Sequence, residues 1–217
     1  MKKILSYVWP VTKHVVSKIN GPLEITWYNG KKLLDSKNAN YSYGNLQKTL
    51  SYGLSKINVI PETNILLLGM GGGSVIETIH KKINSDVRIT AIEIDEVIIE
   101  IAMREFNVMA EKNLEIICAD AYEYVKRCKH QFELIIIDVF IDTKVPSKFY
   151  SVEFWNNIEN ILQQNGTVLF NAGMNLKTTA NIESITGYLG DRFNFEVFKD
   201  KTNINTLLLA KHTEKGS

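Results

Sequence analysis

NILLLGMGGGSVIETI, residues 64–79, runs from a short apolar segment straight into Gly69, Gly71, Gly72 and Gly73, and leaves with helical spacing. An unbroken apolar run suits a strand buried on both faces. Glycine admits positive φ and lets another group approach the main chain. A helix beginning just beyond offers free N–H groups and the positive end of its dipole. Strand, tight turn and helix N-terminus together point to a small-molecule site, without naming the molecule. A dinucleotide fingerprint would place another glycine where Ser74 stands, which disfavours a NAD dehydrogenase. The bland alternative, a glycine-rich turn with no ligand, sits poorly with three adjacent glycines.

Outward from this unit the chain alternates. Strands are expected at 65–69, 87–93, 114–118, 133–138 and 166–171, and helices at 74–84, 95–106, 120–128, 151–163 and 178–190. Such alternation implies a mostly parallel sheet with helices on both faces. Two last strands, near 193–198 and 204–210, are joined by KDKTN (199–203), too short for a crossover, so they form an antiparallel hairpin. Upstream, GPLEITWYNGKKLLD (21–35) reads as a β-hairpin turning at Asn29-Gly30, and YSYGNLQKTLSYGLSKI (41–57) has helical spacing closed by Pro61. The expected division is a hairpin-and-helix region over residues 1–60 and an α/β domain over residues 61–217.

Composition narrows the class. The 217 residues are 45% apolar and 23% charged, ordinary for a globular protein, and the net charge of +1 gives no global pull toward nucleic acid or an acidic membrane. Lys31, Lys32 and Lys37 read as solvated. Cys118 and Cys128 have neither metal nor redox spacing and are expected to be reduced thiols, and His14, His80, His130 and His212 show no ligand spacing, so no metal is expected. The opening MKKILSYVWPVTKHVV is interrupted by Pro10, Lys13 and His14, a poor signal peptide and too short to span a bilayer. The expectation is a cytoplasmic protein without nucleic-acid or membrane partners. Trp9, Trp27 and Tyr28 are expected to pack a small subdomain, with a homodimer contact as the alternative.

In open sheets of this kind ligands sit at the carboxyl ends of the strands, near the point where strand order reverses. The glycine loop, Glu93 in ITAIEIDE (89–96), Asp120 in IICADAYEYV (116–125) and Asp138 in FELIIIDVF (132–140) all fall at such ends. Glu93 can accept both hydroxyls of a ribose, whereas Asp95 and Glu96 read as solvated or capping acids. Asp120 is an N-cap by position and an acceptor for an adenine amino group by function, roles that one carboxylate can combine. Asp138 closes four apolar residues, where an acid is poorly solvated unless it faces a cleft. TKVPSKFYSVEFW (143–155) reads equally as a lid presenting Lys144 and Lys148 to an anionic acceptor and as a loop leading to a helix capped by Ser151.

Glycine loop, EIDE (93–96), DAYEY (120–124) and IIIDVFID (135–142), in that order, resemble the spermidine synthase family within the class I S-adenosylmethionine-dependent transferases. The resemblance covers roughly residues 21–171 and extends to YSYGNLQ at Tyr41. It implies a Rossmann-like class I methyltransferase fold and a co-substrate that is S-adenosylmethionine or decarboxylated S-adenosylmethionine. It further implies that Gly69, Gly71 and Gly73 shape the cofactor loop and make room for the arm of the adenosyl sulfonium. Glu93 would hold the ribose, Asp120 with Ala121 would contact adenine, and Asp138 would deprotonate or orient the attacking group. Tyr43 and Asp142 match positions on the substrate side.

The departures fall on that side too. Gly72 stands where the family carries an aspartate, and Gly44 and Asn45 replace a glutamine and a glutamate. Asp138 and Asp142 are separated by three residues rather than two. The segment between Asp35 and Tyr43 is shorter, and KDKTNIN (199–205) replaces a tyrosine-bearing proline-glycine loop. A diamine carries two positive charges, so a channel lacking these acids recognises it weakly. The expected function is therefore methyl transfer to a small acceptor, with aminopropyl transfer through a rearranged diamine site and a non-catalytic adenosyl-binding module as the alternatives.

Overall fold

The structure, a computed structural model, describes residues 2–36, 40–42, 45–60, 63–82, 87–109, 113–141, 143–174, 180–199 and 205–213. After a short helix α1 (Lys2–Leu5), four strands form an antiparallel sheet in sequential order: β1 (Val11–Ser17), β2 (Gly21–Tyr28), β3 (Lys31–Ser36) and β4 (Asn40–Ser42). The expected hairpin is β2–β3. It turns with both Asn29 (φ 48°) and Gly30 (φ 73°) left-handed, the backbone a two-residue loop needs to match strand twist. β1 is not foreseen in the sequence, because as an edge strand it is largely exposed and VTKHVVS does not alternate. The helix expected over 41–57 is shorter, with β4 preceding α2 (Asn45–Leu54).

Seven strands build the larger sheet: β5 (Asn64–Leu68), β6 (Arg88–Glu93), β7 (Leu114–Cys118), β8 (Phe132–Ile137), β9 (Leu162–Met174), β10 (Phe193–Lys199) and β11 (Asn205–His212). The helices between them are α3 (Ser74–Lys82), α4 (Glu96–Phe106), α5 (Ala121–Arg127), α6 (Val152–Ile161) and α7 (Ala180–Leu189). The order is β10-β11-β9-β8-β5-β6-β7. β5 to β9 are parallel, while β11 lies between β9 and β10 and runs antiparallel to both. This is a Rossmann-like class I methyltransferase fold with its C-terminal antiparallel hairpin. β9 is longer than expected, extending past both ends of 166–171.

The apolar run of β5 divides by pleat. Leu66 and Leu68 face a core of Ile135, Ile137, Phe154, Trp155, Ile158 and Phe170, under α5, α6 and α7. Ile65 and Leu67 face the opposite core with Ile79, Ile89, Ile136 and Leu169. Leu50 and Leu54 of α2 are buried in that second core. The inner face of the N-terminal sheet, Leu23, Ile25 and Leu34, packs on Ile98 and Ile101 of α4, so this helix is covered on two sides. Trp9 and Tyr28 do not pack as expected: they are 74% and 51% exposed. Trp27 is half-buried, with the Lys32 ammonium 4.9 Å over its ring. Among the described residues no helix is long and apolar enough to cross a membrane.

Candidate active site

Strand order reverses between β5 and β8, so the turn after β5 and the chain leaving β8 diverge from neighbouring strand ends. The Gly69 N–H donates to the Ile92 carbonyl (2.9 Å) on one side, and the Asp138 N–H donates to the Leu68 carbonyl (2.8 Å) on the other. Gly69 has φ 87°, and a Cβ there would lie 2.2 Å from the Asp138 carbonyl oxygen. Gly73, at φ 85°, would drive a Cβ to 2.3 Å from Val108 Cγ2. Two of the four loop glycines are thus required by close approach of the protein's own chain, a packing reason that the sequence does not reveal. Gly71 (φ 52°) faces the next strand end, donating its N–H to Glu93 Oε2 at 3.0 Å.

Glu93 ends β6 and is 7% exposed. Its Oε1 accepts from the Asp95 N–H at 3.1 Å. Burial pushes its pKa up; the amides of Gly71, Asp95 and Ile94 oppose this, the Asp95 charge reinforces it, and the net direction is upward. A carboxylate can accept about four hydrogen bonds, so beyond these amides Glu93 keeps little more than one acceptor position.

Asp120 caps α5, Oδ1 accepting from the Tyr122 N–H (2.8 Å) and the Glu123 N–H (3.3 Å). Its Oδ2 accepts from Lys148 Nζ at 2.6 Å. Partial burial raises its pKa, but the Lys148 ammonium and the two helix amides outweigh that and hold it below the ordinary carboxylate range. Of the two readings of residues 143–155, the structure has the loop leading to a helix capped by Ser151, and Lys148 does not face an open acceptor site. Its charge is taken by Asp120, and its ammonium lies over the rings of Tyr122 (5.5 Å) and Phe149 (5.2 Å). The segment carrying it is anchored rather than lid-like. Its 3-10 turn, Ser147–Tyr150, is tied by Tyr150 Oη to the Ala172 carbonyl (2.6 Å) and by Trp155 Nε1 to the Phe149 carbonyl (3.2 Å), and Ser151 caps α6.

Asp138 follows β8. Burial of its carboxyl raises the pKa to about 7, against a hydrogen bond from Asn171 that lowers it and with the Glu93 charge adding to the rise. Asn171 Nδ2 donates to Asp138 Oδ1 at 2.9 Å, and Asn171 is completely buried in β9. The sequence reading passes over Asn171, although the signal is present: in TVLFNAG (167–173) it closes an apolar run as Asp138 closes its own. Ala121 is buried at the first position of α5. Tyr43 and Asp142 lie outside the described residues. Among the described residues no cluster of three metal-ligating side chains occurs.

Comparison with known proteins fits this geometry. Residues 54–210 match the family model described as "Spermine/spermidine synthase domain". An "eEF1A lysine and N-terminal methyltransferase homolog" of Drosophila melanogaster is 27% identical over 121 residues, 51% of this chain and 18% of the relative. A "Polyamine aminopropyltransferase" of Thermoplasma volcanium is 28% identical over 138 residues, 61% of this chain and 48% of the relative. The chain therefore spans at most about half the length of these curated relatives. Human methyltransferase-like protein 13, solved in complex with SAH, superposes with a TM-score of 0.66 at 20% identity, covering 81% of this chain and 85% of that one. The family match takes in every described strand of the larger sheet except the last residues of β11, together with Glu93, Asp120 and Asp138 at their strand ends. On that match the chain belongs to the spermine/spermidine synthase family.

Proposed function

We propose that the chain binds S-adenosylmethionine or a close derivative and transfers a group from it, by preference a methyl group, to a small-molecule acceptor. The observation that carries this reading is the spacing of acceptors along the strand ends. Glu93 stands where it can accept from a ribose hydroxyl, Asp120 keeps some capacity for an amino group, and Asp138 stands across the reversal point from both. This set suits one adenosine rather than two linked nucleotides. The methyltransferase names of two relatives, and the SAH held by one of them, support it.

When bound, the co-substrate supplies an electrophilic carbon on a sulfonium sulfur. Asp138 Oδ1 is held by Asn171, which leaves Oδ2 for the acceptor's N–H or O–H. Asp138 orients that group and takes its proton as the nucleophile bonds to carbon, while the carbon–sulfur bond breaks and its electron pair stays on sulfur. Positioning supplies most of the rate in such displacements. Asp138 must be ionised to act, so transfer should rise with pH through about 7. Aminopropyl transfer is the second reading, favoured by the aminopropyltransferase among the relatives and by Asp142 as a replacement partner for a diamine.

Calorimetry with S-adenosylmethionine, its decarboxylated form, 5′-methylthioadenosine and NAD tests the class. The first three should bind and NAD should not; tighter NAD binding overturns the reading. Putrescine with decarboxylated S-adenosylmethionine should give little spermidine, because Gly72, Gly44 and Asn45 supply no charge to its ammonium groups. Turnover on the order of 1 per second would replace methyl by aminopropyl transfer.

A further inference from the structure

We propose that Ser17 and Asn20, at the β1–β2 turn, are positioning residues for the nucleoside site and act on Glu93 through Asp95. The inference rests on the reading of Glu93 as the ribose acceptor. Asp95 is 2% exposed, and its carboxylate is shared between two parts of the molecule. Oδ1 caps α4 by accepting from the Val97 N–H at 3.0 Å. Oδ2 accepts from the Ser17 hydroxyl and from Asn20 Nδ2, the latter at 2.6 Å. Ser17 Oγ itself accepts the amides of Ile19 (2.9 Å) and Asn20 (3.1 Å), so its hydrogen is committed to Asp95 and the turn is closed around it. The main-chain N–H of Asp95 donates to Glu93, and Glu93 accepts from Gly71. A continuous hydrogen-bonded path thus runs from the turn of the N-terminal sheet to the glycine loop.

Burial gives this path its force. Ser17 is 3% exposed, so water does not replace a donor that is removed. Glu93 and Asp95 are two carboxylates two residues apart, and the Asp95 charge disfavours ionisation of Glu93. Ser17, Asn20 and the N-terminus of α4 balance the Asp95 charge while fixing the bend that aims its N–H at Glu93. Without those donors the buried Asp95 carboxylate must find others, and the bend moves with it.

The test uses the full chain. Ser17→Ala should weaken 5′-methylthioadenosine binding by roughly tenfold in calorimetry, and Ser17→Thr, which keeps the hydroxyl, should restore most of it. Ile25→Val in the apolar face of the same sheet should lower stability and leave affinity unchanged. Equal affinity of Ser17→Ala and the parent, or equal losses in Ser17→Ala and Ile25→Val, overturns the proposal. Amide hydrogen exchange reads the path without any ligand. Ser17→Ala should speed exchange at Asp95 and Gly71 more than Ile25→Val does, and unchanged exchange at both amides also overturns it. Wild-type protein that binds no nucleoside while the exchange result holds would instead remove the ribose role of Glu93.

Discussion

On the proposed mechanism, Asp138 carries opposite demands for stability and for chemistry. Unfolded, its carboxyl titrates near 3.8; folded, near 7. Between those values the native state holds a proton that the unfolded chain releases, so stability is greatest at the acid side of this window and falls as pH rises through about 7. Asp138→Asn removes the charge and keeps the shape, and should flatten that decline. Urea denaturation at roughly pH 5 and pH 8 should show the variant gaining more on the parent at the higher pH. The same variant should abolish transfer and leave nucleoside affinity nearly intact; surviving activity would make Asp138 structural. Glu93→Ala should weaken nucleoside binding by ~2 kcal/mol, because a ribose hydroxyl loses a charged acceptor, and unchanged affinity would remove it from the site. Gly69→Ala places a methyl against the Asp138 carbonyl in a left-handed backbone, and should cost several kcal/mol in thermal or chemical denaturation. These acids were legible because each ends an apolar run, a place where an acid needs a reason. Ser17 and Asn20 were not, since a serine and an asparagine in a turn are ordinary and their partner lies more than seventy residues away.

At the scale of elements, α5 lets capping be separated from the proposed recognition of adenosine. Asp120→Ala loses the two cap bonds and should cost about 1 kcal/mol of stability. Asn is as good a cap, so Asp120→Asn should stay near parental stability while losing the Lys148 ion pair and weakening adenosine binding. Thermal denaturation and calorimetry on the two variants distinguish the roles; parental affinity in Asp120→Asn would leave Asp120 as a cap alone. Helix starts were readable at Asp120 and Ser151 because the capping side chain precedes each apolar-periodic run, whereas Asp95, read as either solvated or capping, is a buried cap. β1 was not readable: an edge strand exposed on most of its length carries no alternation to detect.

For the whole molecule, alternation of strand and helix foretold a covered parallel sheet, and the short KDKTN link foretold the final hairpin. Strand order was not in the pattern, since β6 and β8 have the same apolar character and only the packed sheet shows both beside β5. Nor was the seating of the N-terminal sheet on α4. Ile98 and Ile101 look like core positions in the sequence, but the core they join is built with Leu23, Ile25 and Leu34.

The placement of β11 bears on how the protein is made. β11 is the last strand described, yet it sits inside the sheet, pairing with β9 on one side and β10 on the other. A chain emerging from the ribosome therefore presents β9 with an open edge until residues 205–212 arrive, and β10 has no seat before then. Leu207 and Leu208, both fully buried, close the two cores from opposite faces as that strand zips in. A premature stop after Lys199 should leave a nearly complete nucleotide fold with a long unpaired strand at its edge, and that species should aggregate rather than bind nucleoside, as light scattering during expression in a cell-free system would show. A soluble, nucleoside-binding product from that shortened chain would mean that β9 is protected in some other way before β11 is made.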